Sequence, residues 1–381
     1  PAVTLDAYHA LFDAPSAGVY LDHAAIGVLG RHVAEAVSGY VAKRAGAVPG
    51  VAPNEYPTDL ERADRARQRG GALVNARAEQ VCIVPNTSAG LNLVAQGLDW
   101  RAGDRVAVPG CEFPANRLPW LGLAHLGVEV DTVAHREGTF TSDDVAAAIR
   151  PETRVVAVSA VQFLSGFRCD LAAIADVCRV RDVLLVVDAI QAVGAVRVDA
   201  GLADLVTFGG HKWLGSLQGA GLAVLSDRLL DRLTPVRGWL NGPVDWDDFE
   251  AASLDLHPDA SRFHIGTFPT AALYALDAAL GAMLDLGPEA LERAALANAA
   301  RLADGLDALG FRRYGQPGTP TSGIVTVHAD DPEALHAHLA HSGVHASLRD
   351  RKLRFAVHAQ TRPDAIDRAL ASVAAFPQPT A

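Results

Sequence analysis

Asp188 and Lys212 are charged residues set against apolar runs, and their placement suggests one shared task. Asp188 follows VLLVV (183–187), the most apolar run in the chain. Lys212 comes 24 residues later in TFGGHKWLG (207–215), just past another apolar stretch. A carboxylate at the end of a buried strand is costly unless something pairs with it. A lysine can pair with it, and as the neutral amine it can also attack a carbonyl, which arginine cannot do. Lysine is scarce here: of 33 basic residues, only Lys43, Lys212 and Lys352 are lysines. Gln191, three residues after Asp188, adds an amide donor near the same edge. Upstream, Thr87 and Ser88 open the helix-like stretch NTSAGLNLVAQGL (86–98). Helix starts present backbone N–H groups and hydroxyls to phosphate, although Ser and Thr also serve as ordinary helix caps. These are the parts that a Schiff-base cofactor needs. Pyridoxal phosphate takes a lysine for its imine, an acid against its pyridinium nitrogen and a helix N-terminus for its phosphate.

The elements that must position these residues read as alternating strands and helices. A helical pattern over 60–75 precedes a short strand at 81–85, and the helix opening at Thr87 follows. Further strands are expected at 104–110, 128–133, 153–161, 183–189 and 204–210. Helices are expected from Pro119, over 143–149 and over 171–181. Strands rich in Val, Ile and Leu on both faces predict a mostly parallel sheet covered on both sides. Ligands in such sheets sit at the carboxyl ends of the strands. Residues 236–264 are irregular and read as a functional loop or a crossing between domains. Two long Ala/Leu helices follow, 270–287 and 289–310, closed by Gly287 and Gly310. Strands at 322–329 and 352–359, with helices at 332–341 and 363–375, form a smaller α+β unit. In KLRFAVH the alternation puts Leu353, Phe355 and Val357 on one face and Arg354 and His358 on the other. The expected division is an N-terminal segment (1–19) packing with the small domain, a large domain (20–256) and a small C-terminal domain (257–381).

From YLDHAAIG (20–27) to the last helix, the chain resembles the class V aminotransferase family of fold type I pyridoxal-phosphate enzymes. That family includes cysteine desulfurases and isopenicillin N epimerase-like proteins. The resemblance implies an α/β fold, with a mostly parallel seven-stranded-type sheet in the large domain and a smaller α+β C-terminal domain. VDAIQAVG implies Asp188 on the ring nitrogen and Gln191 near the ring hydroxyl. GGHKWLG implies Lys212 as Schiff-base and proton-transfer lysine, with His211 beside it. NTSAGLNLVA implies Thr87 and Ser88 at the phosphate, and CEFPANRLPW implies Phe113 over the ring, where many desulfurases have His. RFHIGTFP implies that Thr267 reaches the phosphate across a homodimer interface, and LRFAVH implies Arg354 on the substrate carboxylate. Gln162 and His23 are candidate substrate-side residues, each equally suited to a structural role. Two departures stand out. Gly209 occupies the position, two before the His-Lys pair, where the family often has a hydroxyl, with Thr207 further back. HSGVHASLRDRKLR (341–354) has no Cys where desulfurases carry their nucleophile. A thiolate is needed for the persulfide step, so that route is not expected. The resemblance implies an aminotransferase first, then a C–S or β-elimination lyase, then an amino-acid epimerase. A non-enzymatic sensor of pyridoxal phosphate or an amino acid is the rival from another class, but it would need a reader domain for which the chain has no spare length.

Composition narrows the remaining choices. A net charge of −11 opposes general nucleic-acid binding, which relies on basic patches. No apolar run is long enough to span a bilayer, and PAVTLDAYHA (1–10) has no secretory pattern. The expectation is therefore a cytoplasmic protein without membrane partners. Cys82, Cys111, Cys169 and Cys178 form no CxxC pair and read as buried thiols. His336, His338, His341 and His345 resemble a metal cluster, which would suit a hydrolase, but Ser342 and Gly343 interrupt the helix and no Cys or acid joins at ligand spacing. No metal site is expected. No GxGxxG follows a strand and no GxSxG elbow appears, which disfavours a nicotinamide site and a serine hydrolase.

Overall fold

Strands that are apolar on both faces must be covered on both faces, and the chain does this with one large sheet. The structure is a computed structural model and describes residues 3–12, 18–51, 56–245, 247–248, 250, 253–315 and 318–376. Its strands are β1 (Val19–Tyr20), β2 (Val81–Val84), β3 (Arg105–Pro109), β4 (Glu129–Val133), β5 (Thr153–Ser159), β6 (Leu184–Asp188), β7 (Leu205–Gly209), β8 (Gly221–Leu225), β9 (Ile324–Val327), β10 (Val344–His345), β11 (Ser347–Arg349) and β12 (Lys352–Ala356). The first helices are α1 (Leu5–His9), α2 (Arg31–Arg44), α3 (Tyr56–Leu73), α4 (Thr87–Gly97), α5 (Leu118–Leu121) and α6 (Ser142–Ala148). They are followed by α7 (Leu171–Val180), α8 (Asp227–Leu230), α9 (Thr270–Leu286), α10 (Pro288–Ala308), α11 (Pro332–His341) and α12 (Pro363–Ala374).

The seven-stranded sheet runs β2-β8-β7-β6-β5-β3-β4. Only β8 is antiparallel to its neighbours. Alternate residues of the central strands feed two cores. Leu185, Val187, Val156 and Phe208 pack under α3, α7 and α9, whereas Leu184, Val186, Val155 and Leu205 pack with Leu91 and Val94 of α4. Burial of each such side chain stabilises the fold by about 1.5–3 kcal/mol. Pairing aligns Ser159 with Asp188 and Asp188 with Thr207, so three polar residues form a row near the carboxyl end of the sheet.

The smaller unit is the antiparallel sheet β11-β12-β9 with α10, α11 and α12. β1 joins it by pairing parallel with β10, and Val19 and Leu21 lie in its core. Leu273, Leu276 and Leu280 of α9 belong to the core of the large sheet. The sheet's covering layer thus extends to Leu286, and the small unit gathers from α10 onward. Tyr8 of α1 also packs into that large core, because Val3 N–H donates to Asp285 O at the end of α9.

Candidate active site

The end of β6 holds Asp188 at 2% exposure, and its Oδ1 accepts one bond, from Ile190 N–H at 3.0 Å. Burial pushes its carboxyl up to about 6, against the pull of that bond and of Lys212. The chain leaves β7 through Gly210 and His211 and turns at Lys212, where Gly215 N–H donates to Lys212 O at 2.9 Å. Gly27 N–H donates to His211 O at 2.9 Å. A Cβ on Gly27 would lie 1.9 Å from Lys212 O, so the lysine turn and the 24–28 segment meet backbone to backbone. Burial lowers the Lys212 amine to about 8; Asp188 and Asp22 oppose the shift, while Arg354 and Arg349 add to it. An amine so placed has a larger neutral fraction at neutral pH than a surface lysine. The half-buried His211 is also lowered, first by burial and then by Lys212.

Gln191 is buried: its Nε2 donates to Ala24 O at 3.0 Å and its Oε1 accepts from Trp213 Nε1 at 2.8 Å. One amide hydrogen therefore remains for a ligand. Thr87 begins α4, and its buried Oγ1 has no hydrogen-bond partner in the chain. Ser88 is exposed beside it. Asn86 supplies the cap by accepting from Ala89 N–H at 2.9 Å, so the Thr87 hydroxyl is not needed for capping. Thr207 does not reach outward: its hydroxyl donates to Leu222 O at 3.1 Å and its side chain presses on Gly90 of α4. Phe113 is half-exposed, with Lys212 Nζ 5.8 Å from its ring centre and Phe163 edge-on at 5.2 Å.

Arg354 projects from β12 at 3% exposure. Its Nη1 donates to Phe163 O at 3.0 Å, and its Nη2 to Asp22 Oδ1 at 3.2 Å and Ser347 Oγ at 3.3 Å. Its buried Nε has no partner in the chain. The arginine thus links the small sheet to the large-domain loop after β5. Gln162, in that loop, donates through Nε2 to Glu112 Oε1 at 2.6 Å, while its buried Oε1 has no partner. Two other candidates lie apart from this group. Both nitrogens of His23 are engaged, Nδ1 with Ala356 O at 3.1 Å and Nε2 with Gln360 Nε2 at 2.8 Å, and the ring stacks with Trp213 and His358. Thr267 is exposed beside an apolar groove of ≈ 520 Å³ formed by Leu93, Val236, Phe263 and Phe268.

Sequence reasoning passed over Glu112 and Asp22. Glu112 is 5% exposed and accepts from Ser159 N–H at 2.7 Å, from the Ser159 hydroxyl and from Gln162. Burial raises it to about 7, and Asp188 adds to the rise. The available signal was a lone acid within the otherwise uncharged CEFPAN turn. Asp22 bonds both Arg354 and Ser347 Oγ, the latter at 2.7 Å. The helical histidines diverge: His336 meets Ala346 O, His338 meets Ser372 O and His341 meets Ala337 O. Among the described residues no group of three or more His, Cys, Asp or Glu converges as metal ligands, and no single helix is long and apolar enough to cross a membrane.

The fold and this site define an α/β protein with a lysine, a buried acid and a helix start gathered at one sheet edge. The unpartnered Thr87 hydroxyl at the start of α4, the lowered Lys212 amine and the acid behind it fit pyridoxal phosphate. The chain belongs to the aminotransferase class-V family, whose model matches residues 19–347. That is a family of pyridoxal-phosphate-dependent enzymes acting on amino acids. A probable cysteine desulfurase of Pyrococcus abyssi is 25% identical over 345 residues, covering 87% of this chain and 85% of that protein. A probable cysteine desulfurase of Methanothermobacter thermautotrophicus is 30% identical over 66% of this chain, which spans 63% of that relative's length, just under two thirds. Two solved structures share the fold. One is the C-DES mutant K223A with glycine covalently linked to its PLP cofactor (TM-score 0.87, 22% identity, 95% and 97% of the two chains). The other is the cystine C–S lyase C-DES with its product cysteine persulfide (TM-score 0.85, 23% identity, 94% and 98%).

Proposed function

We propose that this chain is a pyridoxal-phosphate C–S lyase that eliminates the sulfur substituent of a cysteine-type amino acid without a protein persulfide. The observation that carries this reading is the pairing of a base and an anchor without a nearby nucleophilic thiol. Arg354 lies near enough to Lys212 to add to the lowering of its amine, while β10, β11 and β12 carry no Cys. The chain's own thiols are unsuited to accept sulfur. Cys82, Cys169 and Cys178 are buried, and burial raises all four thiols, Cys111 to about 12. The names of the cysteine desulfurase and C–S lyase relatives support a sulfur amino acid as substrate.

The cofactor, bound at Lys212, would supply an electron sink for the negative charge left when the α-proton departs. Arg354 Nε–H, which has no partner in the chain, holds the substrate carboxylate, and Asp22 and Ser347 fix the arginine's angle. Lys212, lowered by burial, takes the α-proton at Nζ and returns a proton to the departing sulfur. Asp188 would hold the ring nitrogen, whose positive charge would offset the burial that raises the acid. Phe113, 5.8 Å from Lys212 Nζ, would shield the ring from water on one side. Thr87 and Ser88 with the α4 start would hold the phosphate. His211 lies beside the lysine, Gln162 stands on the substrate side, and His23 supports the lysine turn through its stacking on Trp213. With water, the overall reaction yields pyruvate and ammonium, together with a thiol from a cysteine thioether or hydrogen sulfide from cysteine itself.

Transamination is the second reading, favoured by the family to which the chain belongs. We also infer a homodimer in which the exposed Thr267 reaches the partner's phosphate, and a cytoplasmic setting. The test is the visible spectrum and product analysis of the purified protein with a panel of amino acids. Lyase action gives pyruvate and thiol with the Lys212-dependent band regenerated; transamination gives a pyridoxamine-type shift. A wild-type protein that stays colourless after pyridoxal phosphate is added sinks both readings.

A further inference from the structure

Lys212 follows a strand of the large sheet and Arg354 lies on a strand of the small one, and Trp213 bridges the two. Trp213 comes next after the lysine and is 1% exposed. On the side of the large sheet its Nε1–H donates to Gln191 Oε1 at 2.8 Å. Its backbone is pressed there as well, since a Cβ on Gly194 would lie 2.8 Å from Trp213 O. On the other side the indole enters the small unit. A Cβ on Gly323 would lie 2.7 Å from Trp213 Cζ3 and 2.8 Å from Cη2. The His358 ring centre is 5.9 Å from that of the indole, and His358 Nε2 meets Gly194 O at 2.7 Å. Gly323 precedes Ile324 of β9, whose partner is Ala356 at the end of β12, and Arg354 lies two residues earlier on β12. The indole therefore wedges the lysine turn against the strand pair that carries the arginine. Other ties hold that pair without the lysine turn. Arg354 meets Phe163 O, Thr326 Oγ1 meets Leu164 O and Ser322 Oγ meets Gly166 O, all in the loop after β5.

We propose that Trp213 is a positioning residue that sets Lys212 Nζ against the α-carbon of a substrate whose carboxylate Arg354 holds. This rests on the roles of Lys212 and Arg354 in the lyase reading above. Transamination needs the same transfer, in which the α-proton passes to neutral Nζ and its electron pair stays with the substrate. Reacting atoms must meet at about 3–3.5 Å, and a misplacement of about 1 Å can cost about 100-fold. Loss of the indole removes the wedge, while the ties to the loop after β5 keep the arginine in place. Substrate then binds as before, and the proton transfer alone slows.

The test uses the holoenzyme with L-alanine, which has an α-proton but no sulfur to lose, and with 2-methylalanine, which has no α-proton. For Trp213→Leu, α-hydrogen exchange of L-alanine in D2O, followed by NMR, should fall about 10- to 100-fold in kcat with KM within about threefold. 2-Methylalanine, titrated against the visible band, should bind within about threefold of the wild type. Pyridoxal phosphate affinity, from equilibrium dialysis, should also stay within about threefold. Trp213→Phe keeps a ring toward His358 but is too short to reach Gly323, and its exchange should fall less, about three- to tenfold. Should Trp213→Leu fail to fold, the same split between exchange and binding in Trp213→Phe decides alone. Unchanged exchange overturns the proposal, as does a loss of cofactor or 2-methylalanine affinity as large as the loss of exchange. In either case pyruvate and hydrogen sulfide from cysteine with the wild type keep the lyase reading intact. A wild type that lacks the Lys212-dependent band, or that exchanges no α-proton, removes the roles of Lys212 and Arg354 and the proposal with them.

Discussion

An amine at the end of an apolar strand loses its hydration shell, and the cation suffers most from the loss. A carboxyl beside it suffers in the opposite sense, so burial pushes Lys212 down to about 8 and Asp188 up to about 6. Bond formation to the cofactor requires the neutral amine. Reconstitution of the apoprotein with pyridoxal phosphate should therefore accelerate as pH rises through about 8 and level off above it. Stopped-flow absorbance checks this; a rate still climbing tenfold per unit toward pH 10 would mean an ordinary lysine. Lys212→Arg keeps a cation but should form no borohydride-reducible bond to the cofactor, a loss of at least about 10³-fold in turnover. Asp188 carries a stability cost with a definite sign. Its raised carboxyl contributes stability that is full below the usual carboxylate range and is lost as pH rises through about 6. Apo Asp188→Asn should accordingly melt above the apo wild type at pH 8, with the gap closing below pH about 4, while turnover falls about 100-fold or more. Calorimetric scans at both pH values test the first part, and steady-state kinetics the second. These two residues were legible because their types were anomalous where they stood. Glu112 and Asp22 were not, since their meaning lies in partners 47 and 332 residues away.

At the scale of elements, the alternation of strands and helices was readable because both faces of the strands are apolar, and the buried pattern of β5, β6 and β7 reflects it. Strand β8 was missed. Its five residues follow SLQGA (216–220), which reads as a turn, and its antiparallel pairing depends on contacts that no local pattern encodes. The pair β10 and β11 was likewise hidden in polar residues that pair only when β1 and β12 lie beside them. What positions the turn proposed to hold phosphate is the close approach of α4 to β7, where a Cβ on Gly90 would lie 2.0 Å from Thr207 Oγ1. Gly90→Ala should push the start of α4 off the sheet, at a cost of about 1–3 kcal/mol in stability and at least about tenfold in pyridoxal phosphate affinity. Thr207→Ala in the same chain removes Oγ1 and should recover part of the affinity. Equilibrium dialysis measures both; an unaffected Gly90→Ala would place the phosphate elsewhere.

In the whole molecule, Arg354 of the small sheet is bound to the Phe163 carbonyl of the large sheet's loop. Within one chain, however, Thr267 stands exposed beside the apolar groove, next to the half-exposed Ile265 and Trp239. Side chains of this kind around a groove of ≈ 520 Å³ are costly to leave in water. A second copy covering them would bring each Thr267 toward the other's phosphate turn and make cofactor affinity depend on assembly. Ile265→Asp would place a charge in that interface, where an unpaired carboxylate is strongly disfavoured. The variant should sediment as a monomer, and its cofactor affinity should fall together with dimer content as the protein is diluted. Thr267→Ala should instead remain a dimer and lose about threefold to tenfold in cofactor affinity, the weight of one hydrogen bond. Sedimentation velocity with parallel absorbance of the bound cofactor separates the two effects. A wild-type monomer with full cofactor affinity would show that each chain builds its phosphate site alone, leaving Thr267 no part in it.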